Sequence, residues 1–206
     1  MWIDITHALS KDWAEWPGDT PFQFNYFATK AQTDSVNIGE IVGSTHIATH
    51  VDAPKHFDDD GLTVDLLPVE RFIGKATVVT LLDIPVIEVD HLKCCPIEGT
   101  IILIQTQRES HPSVFPEEIP VLSIAAIDYL ASIGIEVIGV DVPSVDPIDS
   151  ETLENHHRIA HHEMYNIENL RLAHVKPGIY QFIGLPLKIS GADASYIRAV
   201  IQPISR

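Results

Sequence analysis

The sequence predicts a single-domain α/β protein, mixed α+β in element order, with a central mixed β-sheet flanked by a few helices. Three observations carry that expectation. Four segments rich in β-branched residues are bounded by turn formers, and one clear amphipathic helix runs straight into one of those strands. The chain has 206 residues, enough for one substantial core and few for two. Hydrophobic residues make up 45% of it, with 11 glycines and 14 prolines spread along its length, a folded globular composition. No internal repeat, low-complexity tract or long linker divides it, so residues 1–206 are expected to form one domain.

The amino-terminal stretch MWIDITHALSKDW has no basic segment leading an apolar run and carries an early Asp4, unlike a secretory or transit signal. KATVVTLLDI from Lys75 and GTIILIQT from Gly99 read as buried or half-buried strands, with VDHLKCCPIEG a weaker helical segment between them. SIAAIDYLASIG has apolar residues at helical spacing, Ser123 suited to cap its start and Gly134 to end it. It leads directly into the strand GIEVIGVDV. The Pro-rich DVPSVDPIDS, residues 141–150, follows that strand where α/β proteins commonly place functional loops. ENHHRIAHHEMYN is a second weak helix, and GIYQFIGLPLKI from Gly178 the last strand.

Charge narrows the range of partners. Lys and Arg total 13 against 29 Asp and Glu, a formal net charge of -16, which repels phosphate backbones and anionic headgroups. Nucleic acid and membrane are therefore not expected as partners, and no apolar run reaches spanning length. The adjacent Cys94 and Cys95 cannot easily close an unstrained disulfide and lack metal-ligand spacing. The cytoplasm fits best.

Of the 11 histidines, seven fall in two clusters: His46, His50 and His56 in STHIATHVDAPKHF, and His156, His157, His161 and His162 in NHHRIAHH. Imidazole and carboxylate are the usual ligands of zinc and its first-row neighbours, whereas a lone buried histidine is usually a hydrogen-bonded core residue. On an extended strand His46 and His50 would stand roughly 13 Å apart and could not share an ion. They require a helical turn, or a chain that bends sharply between them. Asp52 follows, and Pro54 forces residue 53 out of helical geometry, which brings the carboxylate toward the same ion. The zincin pattern H-E-x-x-H fails because Ile47 stands where its glutamate would be. His56, beyond the proline break, is expected to face the metal and transfer protons.

In the second cluster Glu168 lies twelve residues after His156, on what reads as a helix or loop returning to a strand. If Asp52 and Glu168 each bridge, two cations can sit roughly 3.5–4 Å apart, as in hydrolytic two-metal sites. His156 then completes the second ion. His161 and His162 read as a polar helix face, and His157 as a hydrogen-bonding neighbour of the ligands.

HIATHVDAPKHF resembles the H-x-G-T-H-x-D-x-P-x-H signature of the cyclase-type metal-dependent hydrolases, and most closely their bacterial kynurenine formamidase (arylformamidase) branch. The likeness extends over nearly the whole chain, through WPGDTPF, VNIGEI, GVDVPSVDP, HHRIAHHEMYNIENL and LPLKISGADASYIRAV. It implies a barrel-like, swivelling β/β/α fold and a homodimer. It also implies two divalent metal ions per chain, zinc first and Mn or Co next, held by His46, His50, Asp52, His156 and Glu168. His56 is then the proton donor and acceptor, and Trp16 meets the aryl ring of the substrate. Trp16 packed by Pro17 is the alternative for that residue. Two positions depart from the pattern. Ala48 replaces a glycine, which costs on the order of 1 kcal/mol if that backbone needs a positive φ, and Tyr196 replaces a proline.

The resemblance implies hydrolysis of a linear amide C–N bond, N-formyl-L-kynurenine giving L-kynurenine and formate in tryptophan degradation. Hydroxide formed at the metal attacks the formyl carbonyl, with His56 moving the proton. No G-x-S-x-G elbow is present, consistent with a mechanism without a serine nucleophile. The alternatives are a related enzyme that opens a cyclic amide such as isatin, and a metal-binding domain without turnover.

Overall fold

The computed structural model describes residues 1–204. In chain order its strands begin with β1 (Ile3–Asp4), β2 (Gln23–Ala28), β3 (Ile38–Val42), β4 (His50–Asp52), β5 (Ile73–Thr80), β6 (Val86–Ile87) and β7 (Ile101–Gln105). They continue with β8 (Val121–Leu122), β9 (Val137–Val140), β10 (Tyr165–Glu168), β11 (Gly178–Ile183), β12 (Ala194–Tyr196) and β13 (Val200–Pro203). The helices are α1 (Lys30–Thr33), α2 (Val89–Lys93), α3 (Ile124–Ser132) and α4 (Glu154–His161). Nine strands form one curled, half-barrel sheet in the order β1-β13-β11-β5-β7-β9-β10-β4-β12. This is the mixed α/β architecture expected from the sequence.

The middle of the sheet, β5-β7-β9-β10, is parallel, and both flanks are antiparallel. A strand buried on both faces reads as an unbroken apolar run, and β7 does: Ile101 and Leu103 enter one core cluster, Ile102 and Ile104 the other. Each of these four is fully buried, a gain of roughly 1.5–3 kcal/mol per side chain over exposure. The first cluster, with Phe72 and Phe182, fills one side of the sheet. On the other side lies α3, burying Ala126, Ile127 and Leu130. Ser123 caps α3 by accepting from Ala126 N, and Gly134, at φ 88°, turns the chain out of it toward β9, as its sequence requires.

The hairpin β2–β3 forms its own two-stranded sheet. It leaves Phe24, Tyr26, Phe27, Ile38 and Ile41 exposed. No helix among the described residues is long and apolar enough to cross a membrane, and Cys94 and Cys95 are both free thiols.

One expected element differs. Glu168 lies on a strand, β10, and not on a helix or a loop. The helix stops at His161, and Glu163 at φ 54° reverses the chain before YNIE enters the sheet between β9 and β4. Those four residues are all buried, and a strand of four residues is too short for its alternation to stand out beside the preceding helix.

Candidate metal centre

The site is built where β4 and β10 run antiparallel, with His50 opposite Glu168 in register. Alternation along a strand places residues i and i+2 on one face. His50 and Asp52 therefore share a face, as do Asn166 and Glu168, while Val51 and Ile167 point into the core behind them. β12 pairs with the other edge of β4, with Ala194 opposite Asp52, and so carries Asp193 to the rim. His46 reaches the same place because the chain bends at Ala48, whose φ is 53°. The sharp bend required by the His46–His50 spacing is thus present, in a left-handed conformation that the family's glycine would adopt without strain.

Two groups of donors share Asp52. In the first, Asp52 Oδ1 lies 2.9 Å from His46 Nδ1 and 3.3 Å from His50 Nε2. In the second, His156 Nε2 lies 3.3 Å from Asp52 Oδ2 and 3.4 Å from Glu168 Oε1. Glu168 Oε2 lies 3.4 Å from His50 Nε2, so each carboxylate turns one oxygen toward each group. Among the described residues, His50 Nε2 and Asp52 Oδ1 are the buried side-chain atoms without a hydrogen-bond partner. They are close together but misaligned for a hydrogen bond. An unsatisfied buried polar atom costs about 1–3 kcal/mol, and imidazole nitrogens converging with carboxylate oxygens fit a divalent cation of the zinc or manganese type.

The outward nitrogen of each histidine is committed elsewhere. His46 Nε2 donates to Asp193 Oδ2 at 2.9 Å, His50 Nδ1 to the Ala48 carbonyl at 2.9 Å, and His156 Nδ1 to Asp146 Oδ2 at 2.6 Å. Those acceptors hold one proton on each outward nitrogen, so that a cation displacing the inward protons would meet the inward nitrogens. Asp146 also accepts from the backbone N–H of Asn155 at 2.8 Å and of His156 at 3.0 Å, capping α4 from the loop that the sequence marked as functional.

Electrostatics follow the same geometry. Burial lowers the imidazoles, but the Asp52 carboxylate outweighs it, raising His46 to about 9 and His50 to about 10. His156 is raised well above its ordinary value, since Asp146, Asp52 and Glu168 together overcome burial. Asp52, despite burial, is held well below the carboxylate range by His46 and His50. Asp193 is held low by the hydrogen bond from His46 and by His56.

All seven residues singled out in the sequence meet at one cavity or its floor. The cavity encloses about 1370 Å³, and His46, His56, His156, Glu168 and Trp16 line it. His56 is in the short 3-10 turn Pro54–His56, its ring 4.0 Å from that of His46 and 5.8 Å from that of His156. Trp16 meets Phe115 edge to face at 5.1 Å, and both line the same space. His157 packs against the Phe57 ring at 5.1 Å, and the hydrogen-bonding neighbour expected there is instead Asp146, which accepts from His156 Nδ1. His162 pairs with Asp128 away from the site, with His161 beside it. Asp146, Asp193, Asn166 and Phe115 were missed. Asp146 had a sequence signal in its place in the Pro-rich loop, and Asn166 in its position two residues before Glu168.

Comparison with known proteins matches this chain to the Cyclase family model over residues 3–147. It is 41% identical over 204 residues to the kynurenine formamidase of Bacillus cytotoxicus, covering 98% of each chain. It is 42% identical to that of Bacillus cereus over 98% of each. Isatin hydrolase A from Labrenzia aggregata superposes with a TM-score of 0.84 at 19% identity, covering 100% of this chain and 94% of that one. A predicted metal-dependent hydrolase from Bacillus stearothermophilus superposes at 0.82 with 24% identity, covering 98% and 97%. A matching family model over most of the chain, near-complete coverage at two-fifths identity and a shared fold agree: the chain belongs to the cyclase family, alongside kynurenine formamidases.

Proposed function

We propose that the chain is an arylformamidase that hydrolyses N-formyl-L-kynurenine to L-kynurenine and formate, a step of tryptophan breakdown. The reading rests on one observation above all. Asp52 and Glu168 each divide their two oxygens between two histidine groups at the floor of a cavity walled by Trp16 and Phe115. His46 Nδ1, His50 Nε2 and Asp52 Oδ1 would hold one cation, and His156 Nε2, Asp52 Oδ2 and Glu168 Oε1 the other. Zinc is the proposed metal, with manganese and cobalt accepted by the same donors. When bound, the two ions supply Lewis acidity, making water more acidic and polarising the amide carbonyl.

The remaining chemistry belongs to side chains. His56 accepts the proton of the attacking water and returns it to the departing aniline nitrogen. Its Nδ1 is 3.8 Å from Asp193 Oδ2, so the ring sits beside that carboxylate at the rim of the site. Trp16 and Phe115 present ring faces and edges to the aryl group. Asp193, Ala48 O and Asp146 keep the ligand imidazoles in register. The exposed apolar hairpin β2–β3 supports a two-fold homodimer, and the free thiols support a cytoplasmic location.

Opening of a cyclic amide such as isatin is the second reading, favoured by the fold shared with isatin hydrolases. The formamidase reading stands ahead of it on sequence identity. Purified protein offered both substrates separates them: N-formylkynurenine is the better substrate by kcat/KM. A chelator abolishes turnover and added metal restores it. His56→Ala lowers kcat by about 10²–10⁴-fold while keeping its metal. A variant that retains most activity removes His56 from the mechanism.

A further inference from the structure

Asn166 stands two residues before Glu168 on β10, buried and on the same face. Its Nδ2 donates to Asp52 Oδ2 at 2.6 Å and to Glu168 Oε1 at 2.9 Å, and lies 3.5 Å from His156 Nε2. These are the three donor atoms of the second group. Both atoms that find no hydrogen bond, His50 Nε2 and Asp52 Oδ1, belong to the first. The two groups are therefore unlike. One has donor atoms that nothing in the protein satisfies, and the other has an amide already placed among them.

The orientation of that amide is dictated by charge. An NH2 group offers two protons to two carboxylate oxygens, while the reversed amide would set its own oxygen against both. Asp146 holds a proton on His156 Nδ1, which leaves Nε2 as the nitrogen that turns toward the two carboxylates. With its nitrogen within 3.5 Å of all three atoms, the amide crowds the space that a cation drawn to them would take. The carboxamide must turn away and give up two hydrogen bonds to charged acceptors, which are about twice as strong as neutral ones.

We infer that the Asn166 carboxamide competes with the second cation, so that the first group loads first and tightly and the second loads afterwards and more weakly. This rests on the two-cation reading above.

The test is calorimetric titration of metal-free protein with manganese(II), with metal per chain measured after desalting. Wild type is compared with Asn166→Leu, which has the same branched shape, and with Asn166→Ala in case the larger leucine disturbs packing. Circular dichroism melts of the metal-free proteins check the fold. Wild type should take up two equivalents in steps separated at least tenfold in affinity. Removing the amide should tighten the second step at least tenfold and leave the first within twofold. Uptake of one equivalent by wild type and two by the variants would support the same competition in a stronger form. A second step unchanged in the variants overturns the inference and leaves the two-cation reading standing. A weakened second step also overturns it, since the amide would then be a ligand. One equivalent in all the proteins would reject both readings.

Discussion

Replacing Asp146 separates two jobs that its carboxylate performs at once. It accepts from Asn155 N at 2.8 Å and His156 N at 3.0 Å, and from His156 Nδ1 at 2.6 Å. The residue preceding α4, Leu153, has no side-chain oxygen, so Asp146 acts as the cap from a distance. Loss of a cap costs about 1 kcal/mol, and buried N–H groups left unpaired add about 1–3 kcal/mol. Asp146→Ala should therefore destabilise the metal-free protein by about 3 kcal/mol. Asp146→Asn keeps one acceptor oxygen and should cost about 1–2 kcal/mol. In both variants His156 loses its charged anchor, and metal affinity should fall about 10–100-fold. Urea denaturation of the metal-free protein reads the first effect, and competition with a chromophoric chelator reads the second. A stability loss with metal affinity within twofold of wild type would reduce Asp146 to a helix cap and refute the orienting role.

Trp16→Ala should raise KM for aryl formamides at least several-fold more than for a small alkyl formamide, and equal effects on both would return Trp16 to packing. Ala48→Gly should stabilise the protein by about 0.5–1 kcal/mol, relief of left-handed strain outweighing the added freedom of the unfolded chain, as read by urea midpoints. Asp141, pushed up to about 6 by burial against the opposing hydrogen bonds of Thr106 and Gln107, should give pH-dependent stability. With its folded pKa above the unfolded value, its contribution is complete below about pH 4 and is lost as pH rises through 6. The stability difference between wild type and Asp141→Asn should thus move by up to about 3 kcal/mol between pH 4 and 8, and a flat difference would contradict the assignment.

The first donor group was legible because its chemistry is written locally. His46, His50 and Asp52 are close enough in sequence for stereochemistry alone to demand a bend, and Ala48 supplies it. The apolar runs of β5, β7 and β9 were legible for the same reason, and α3 announced both of its ends. The hairpin β2–β3 was not read, since QFNYFA and IGEIV are exposed and lack the burial pattern that marks a strand. Asp193 touches His46 across 147 positions of sequence, and nothing local in GADA signals that contact. Asn166 was hidden by treating the stretch around Glu168 as helix or loop. Period-two alternation on β10 would have placed it beside Glu168 at once.

The donor atoms come from segments far apart: Asp52 and His156 are separated by 104 positions, and Asp52 and Asn166 by 114. During synthesis the second donor group must wait for the carboxyl-terminal half to leave the ribosome, so a cation drawn to it cannot template early folding. Metal captured after assembly would act as a late clasp, resisting separation of the two halves and slowing global unfolding more than local fraying.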